Sequence, residues 1–207
     1  ISGVVGIQVP DEDFLLQLRV LTRRYGVVLV LDEIQSGYGR TGKFFAHQWA
    51  GIKPDLITVA KGIANGFPFS GVLISPMFAA RKGMLGTTFG GNHLGCAAAL
   101  AVLKIIREEK LIENALHTGA YLMQRLQELP SPLIKEIRGR GLMVGVELTV
   151  PVKEVREPLL FEERIFTGYS GLYTLRILPP LVLSKKEVDI FVGSLKKVLD
   201  GYYENSR

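Results

Sequence analysis

The chain has 207 residues, 47% hydrophobic and 22% charged, which suits one large or two modest domains with an apolar core and argues against long disorder. Its net charge of +5 is scattered, with no basic run beyond pairs such as Arg23-Arg24 and Lys185-Lys186, so it reads as a solvated surface rather than a nucleic-acid-binding face. Cys96 is the only cysteine, which excludes an intramolecular disulfide, and His47, His93 and His117 lack metal-ligand spacing. No apolar run approaches the ~18 residues of a membrane span. The expectation is a cytoplasmic protein with no metal, no nucleic acid and no membrane partner.

The first segment, "ISGVVGIQVP", has neither an initiator Met nor a basic leader, and is expected to continue from a longer protein. Residues 10–26 read as a helix: Pro10 and acids open it, Phe14, Leu15, Leu18, Leu21 and Tyr25 recur at helical spacing, and Gly26 stops it. "VVLVL" (27–31), "DLITVA" (55–60) and "GVLIS" (71–75) are apolar and β-branched, which predicts strands buried on both faces of an α/β sheet. Residues 92–129 are helical, as two helices meeting near Glu109 to Leu111. "GLMVGVEL" (141–148) and "LRIL" (175–178) read as strands. Residues 184–200 form a terminal helix, with Ser184 as N-cap and Glu187 completing a capping box. A domain boundary is expected near residue 110, giving domains 1–110 and 111–207.

Gly37, Gly39 and Gly42 spell G-x-G-x-x-G after the first strand. A dinucleotide site needs such glycines directly between strand and helix, so that helix N–H groups meet the pyrophosphate. Here Asp32 to Ser36 intervene, no helical cap follows Gly42, and no acid stands on a second strand about 20 residues on. The glycines are therefore expected to shape a loop.

The acid before them carries more information. Asp32 ends a strand, where α/β sheets present ligand-binding groups, although strand-end acids also cap helices. Lys61 ends the next strand beside the glycine-rich "GIANGFPFSG". Desolvation there favours a neutral, nucleophilic amine, whereas an ordinary lysine snorkels to solvent. An amine and a carboxylate ending strands of one sheet fit pyridoxal 5'-phosphate chemistry: the lysine joins the aldehyde, and the carboxylate keeps the ring nitrogen protonated. "GTTFGGN" (86–92) adds the hydroxyls of Thr87 and Thr88 as phosphate donors.

"LDEIQSGYGRTGKFFAHQWAGIKPDLITVAKGIANGFPFSGVLIS", "GTTFGGNHLGCAAALAVL", "RGRGLMVGVEL", "IFTGYSG" and "LRILPPL" together resemble the class III aminotransferases, and within them the group acting on acetylornithine. The resemblance covers essentially the whole chain. It implies the aspartate-aminotransferase-like fold type I of pyridoxal-phosphate enzymes: part of the large cofactor domain, followed by a small C-terminal α+β domain. By resemblance Asp32 pairs with the pyridine nitrogen, Gln35 hydrogen-bonds the ring's phenolic oxygen, and Lys61 bonds the cofactor and moves protons. Thr88 holds the cofactor phosphate across a homodimer interface, Thr87 touches substrate and Arg176 clamps a substrate carboxylate, though Arg176 alone reads as a surface ion pair.

The implied reaction moves the terminal amino group of N-acetylornithine, or another N-acylornithine, to 2-oxoglutarate in arginine biosynthesis. Ornithine or 4-aminobutyrate is the alternative donor, and a non-catalytic dimerisation fragment is the alternative of another class. Family members are about twice this length, so the chain is expected to be a C-terminal half that is inactive alone.

Overall fold

The computed structural model describes residues 6–11, 13–79 and 81–205. Residues 1–5, and Glu12 among the acids expected to open the first helix, lie outside them. The chain divides into two compact units. One, here the three-stranded unit, is Asp11–Gly39 with Lys43–Leu111; the other, the four-stranded unit, is Ile1–Pro10, Arg40–Gly42 and Ile112–Arg207. The main division falls close to residue 110, but two short segments from earlier in the chain join the second unit, which a single cut does not describe.

In the three-stranded unit, helix α1 (Phe14–Arg24) is followed by strands β1 (Val30–Asp32), β2 (Leu56–Val59) and β3 (Gly71–Ile74), and by helix α2 (His93–Glu108). The sheet order is β1-β2-β3, with β1 and β2 parallel and β3 antiparallel to β2. Asp55, just before β2, ties the unit together. Its carboxylate accepts both terminal nitrogens of Arg19 at 2.7 and 2.8 Å, and the Leu29 N–H at 2.8 Å. Hydrogen bonds from Arg19 and from the Leu29 backbone hold its carboxyl below the ordinary range.

The expectation of strands buried on both faces is not met. Val30, Val72 and Ile74 are each about half exposed (51%, 50% and 50%), and the apolar stripe of α1 is open at Phe14, Leu21 and Tyr25. The helices of this unit pack on short 3₁₀ turns, α1 on Ala46–Ala50 and α2 on Lys61–Ile63. An apolar run states that a strand suits a dry environment; these elements alone do not supply one.

The four-stranded unit is closed. It contains α3 (Leu111–Gln127), β4 (Ile134–Arg140), β5 (Met143–Leu148), α4 (Val152–Phe161), β6 (Gly168–Ser170), β7 (Thr174–Ile177) and α5 (Lys185–Asn205). The sheet is antiparallel in the order β4-β5-β7-β6. Leu122 and Leu126 of α3, Val144 and Val146 of β5, Leu159 of α4 and Leu195 of α5 are all wholly buried in one core. α5 starts at the expected capping box: the Ser184 N–H donates to Glu187 Oε2 at 2.8 Å and the Glu187 N–H to Ser184 Oγ at 3.3 Å.

The segment Arg40–Gly42 is fixed to this unit by backbone and by close approach. The Leu142 N–H donates to the Arg40 carbonyl at 3.0 Å, and the Arg40 guanidinium donates to the Pro179 carbonyl. Gly141 has φ +58, and a Cβ there would stand 2.5 Å from the Thr41 carbonyl carbon. A Cβ on Gly119 of α3 would stand 2.3 Å from the Gly141 carbonyl carbon. Only glycines permit these three backbones to meet.

Candidate active site

β1 and β2 run parallel, so their C-terminal ends open at the same edge, on strands about 4.8 Å apart. Asp32 is the last residue of β1 and stands opposite Thr58 in the ladder; the pairing continues through the Glu33 N–H, which donates to the Thr58 carbonyl at 3.0 Å. Lys61 follows β2 by two residues and opens a 3₁₀ turn. The structure thus brings Asp32 and Lys61 to one edge of neighbouring strands. Gln35 lies half-buried in the turn that leaves Asp32.

The local chemistry of the two groups is distinct. One carboxylate oxygen of Asp32 accepts the Ile34 N–H at 2.9 Å, which orients the side chain and leaves its other oxygen available. The Thr58 hydroxyl, on the same face of the ladder as Asp32, is buried with no hydrogen-bond partner among the described residues. Lys61 has φ +46, a left-handed conformation that costs a non-glycine residue about 1–2 kcal/mol and often marks functional positions. Its backbone carbonyl accepts the N–H groups of Ala64 and Asn65, which fixes the turn. Among the described residues no carboxylate pairs with its amine. The side chain is exposed, so the desolvation expected there is not provided by this chain's own elements.

The remaining expected site residues are placed differently. Thr87 and Thr88 lie in the same unit, exposed, in an irregular segment before α2. No hydrogen bond joins them to Asp32, Gln35 or Lys61 among the described residues. That segment ends at Asn92, whose side chain caps α2 by accepting the Gly95 N–H at 2.8 Å. Arg176 belongs to the four-stranded unit, on β7 opposite Gly145 and Gly168. Its Nε is buried with no hydrogen-bond partner among the described residues and lies beside Gly168, 3.1 Å from the position a Cβ would take there. A buried guanidinium nitrogen with no acceptor suits an incoming carboxylate.

The glycines after Asp32 do shape a loop. Gly39 and Gly42 have φ +89 and +83, and no α-helix follows them; the next element is the Ala46–Ala50 turn. Within this loop lies a residue the sequence did not single out. Glu33 is 3% exposed, and its carboxylate receives the Ser36 hydroxyl, the Ala46 and His47 N–H groups at 3.0 and 2.8 Å, and His47 Nδ1 at 3.0 Å. Burial disfavours its charge, but the hydrogen bonds from His47, Ser36 and Ala46 outweigh that and hold the carboxyl below the ordinary range. Beside Asp32 the residue looks like one more surface acid, and only its non-local donors reveal it.

A lysine with no salt-bridge partner among the described residues and an oriented carboxylate, ending neighbouring parallel strands, form a pair that suits a pyridoxal ring. Residues 1–199 match the family model described as Aminotransferase class-III. The chain belongs to the class III aminotransferases. It is 42% identical to ornithine aminotransferase of Brevibacillus brevis over 202 residues, which cover 96% of this chain and 50% of that protein. It is 38% identical to acetylornithine aminotransferase of Mycolicibacterium smegmatis over 214 residues, covering 100% of this chain and 53% of that protein. Among solved structures it superimposes on Plasmodium falciparum ornithine delta-aminotransferase with a TM-score of 0.91 at 33% identity, over 99% of this chain and 55% of that one. A Toxoplasma gondii ornithine aminotransferase, described with partial occupancy of PLP at its active site, gives a TM-score of 0.93 at 31% identity over 99% of this chain and 50% of that one. The chain spans about half the length of the curated relatives it matches. Class III aminotransferases depend on pyridoxal phosphate, which agrees with the acid and the amine at the ends of β1 and β2.

Proposed function

We propose that this chain carries the cofactor lysine, the ring-pairing acid and a substrate-binding arginine of a transaminase that acts on the terminal amine of ornithine or N-acetylornithine, with 2-oxoglutarate as acceptor. The observation that carries the reading is the exit of Asp32 and Lys61 from one edge of adjacent parallel strands, in a chain of this family. When bound, pyridoxal phosphate supplies an electron sink for the carbon that bears the amine.

The chain's own residues divide the remaining work. Lys61 offers the nucleophilic amine and, once free of the cofactor, carries a proton at the reacting carbon. Asp32, oriented by the Ile34 N–H, places negative charge against the ring nitrogen and keeps it protonated. Gln35 donates to the phenolic oxygen, Thr88 donates its hydroxyl to the phosphate, and Thr87 contacts substrate. Arg176, with its unsatisfied Nε, takes a substrate carboxylate; a planar fork suits that task better than a lysine's point charge. The assembly that goes with this reading is a cytoplasmic homodimer, in which Thr88 serves the partner's site.

Relatives carrying both substrate names support ornithine and N-acetylornithine equally, and an amino-donor assay separates them. Full-length protein, incubated with each donor and 2-oxoglutarate, is expected to form glutamate with one or both, and Lys61→Ala to lose more than about 100-fold in rate. Wild-type turnover by Lys61→Ala contradicts the reading. The 207-residue chain assayed alone is expected to turn over negligibly.

A further inference from the structure

Glu33 stands between Asp32 and Gln35, yet it has no role in the chemistry assigned to them. Its four donors come from Ser36, Ala46 and His47, so the carboxylate ties the end of β1 to residues 13 and 14 positions further on. His47 is itself 7% exposed and stacks on Phe45 with ring centroids 5.6 Å apart. Phe45 in turn fills the space beside Gly37, 3.2 Å from where a Cβ would be. The loop between these anchors is thereby closed at both ends. Its buried Tyr38, held at φ +56, packs against Gly62, with the Tyr38 Cβ 3.1 Å from the position of a Gly62 Cβ. Gly62 is the residue after Lys61. A continuous set of contacts therefore runs from Glu33, through one folded loop, to the turn that bears the lysine.

We propose that Glu33 is a positioning residue: clamped by His47, its buried carboxylate fixes both the turn that presents Asp32 and Gln35 and the loop that backs the Lys61 turn. The inference rests on the reading of Asp32 and Lys61 as the two groups that hold the cofactor. A glutamine does not replace Glu33, because each carboxylate oxygen receives a backbone N–H, of Ala46 or of His47, and an amide NH2 in either place faces a group that only donates. An asparagine at His47 keeps a donor near the position of Nδ1, whereas phenylalanine keeps the ring and loses the donor.

The test uses the full-length protein loaded with pyridoxal phosphate, with three readouts: the cofactor dissociation constant, the pH midpoint of its visible absorption band, and the melting temperature of the cofactor-free protein. Glu33→Gln and His47→Phe are expected to weaken cofactor binding about tenfold or more and to move the band midpoint, with His47→Asn restoring most of both. Leu159→Ala, in the core of the other unit, serves as the stability control; it should lower the melting temperature and leave the dissociation constant and band as in wild type. If Glu33→Gln does not fold, His47→Phe and Ser36→Ala decide. Wild-type binding and band in His47→Phe, or the same shifts in Leu159→Ala, overturn the positioning role. Borohydride trapping in wild type separates the two readings. If it fixes the cofactor on Lys61 while His47→Phe is silent, only the positioning role falls; if it does not, the site assignment falls and the positioning role with it.

Discussion

The two units bury their apolar residues to different degrees. The four-stranded unit closes on itself: helices α3, α4 and α5 and strands β5 and β7 contribute wholly buried side chains to a single core. The three-stranded unit buries Leu29, Ile52, Val59 and Ile63 but leaves Val30, Leu73 and Ile74 near half exposed, and adds buried polar anchors at Asp55 and Glu33. The proposed chemistry sits on the open unit. Polar anchors fix backbone geometry at chosen points: Asp55 holds the starts of β1 and β2, and Glu33 holds the end of β1, where Asp32 emerges.

Truncations in the two units should sharpen that contrast most. Leu195→Ala in the closed core is expected to cost about 2–5 kcal/mol in denaturant unfolding, whereas Leu73→Ala on the open sheet should stay within about 0.5 kcal/mol. Equal losses at both positions contradict the difference in packing between the units. The polar anchors come next. Asp55 and Glu33 have carboxyls held below their ordinary range in the fold, so the stability they confer is present above the unfolded value of about 4 and lost as pH falls through the lower folded values. Amide exchange in β1 and β2 should accelerate as pH is lowered below about 4, after correction for intrinsic rates; Asp55→Asn should already exchange faster at neutral pH and show a flatter dependence. A wild-type profile for Asp55→Asn counts against the anchor.

Smaller effects test the closed unit's periphery. Ser184→Ala removes the α5 cap and is expected to cost about 1 kcal/mol in thermal unfolding; no change in melting temperature means that the cap contributes nothing. The Lys153–Glu157 pair of α4 spans 3.6 Å between exposed groups, and Lys153→Ala should alter stability by less than about 0.5 kcal/mol.

Sequence patterning reveals the elements whose signals are local. The break between α2 and α3 falls at Glu109 and Lys110, the latter at φ +52, close to where the helical pattern changes, and the capping box at Ser184 and Glu187 is written in four consecutive residues. β4, α4 and β6 are missed for identifiable reasons. β4 is charged and carries a register shift between Ile134 and Glu136 that spoils its alternation, α4 contains Pro158, and β6 is three residues long. At the site, a strand-end acid and a strand-end lysine are legible because each is defined by the run before it. Glu33 is not, because three of its four donors arrive from a turn more than ten residues away, and Arg176 stands out only through its family resemblance.

Every role proposed for the site requires Lys61 to be the amine that bonds the cofactor. Borohydride reduction of the full-length, pyridoxal-phosphate-loaded protein, followed by proteolysis and mass mapping, tests this directly. A pyridoxyl group carried stoichiometrically on Lys61 is the expected result; the same group on another lysine, or on none, contradicts it.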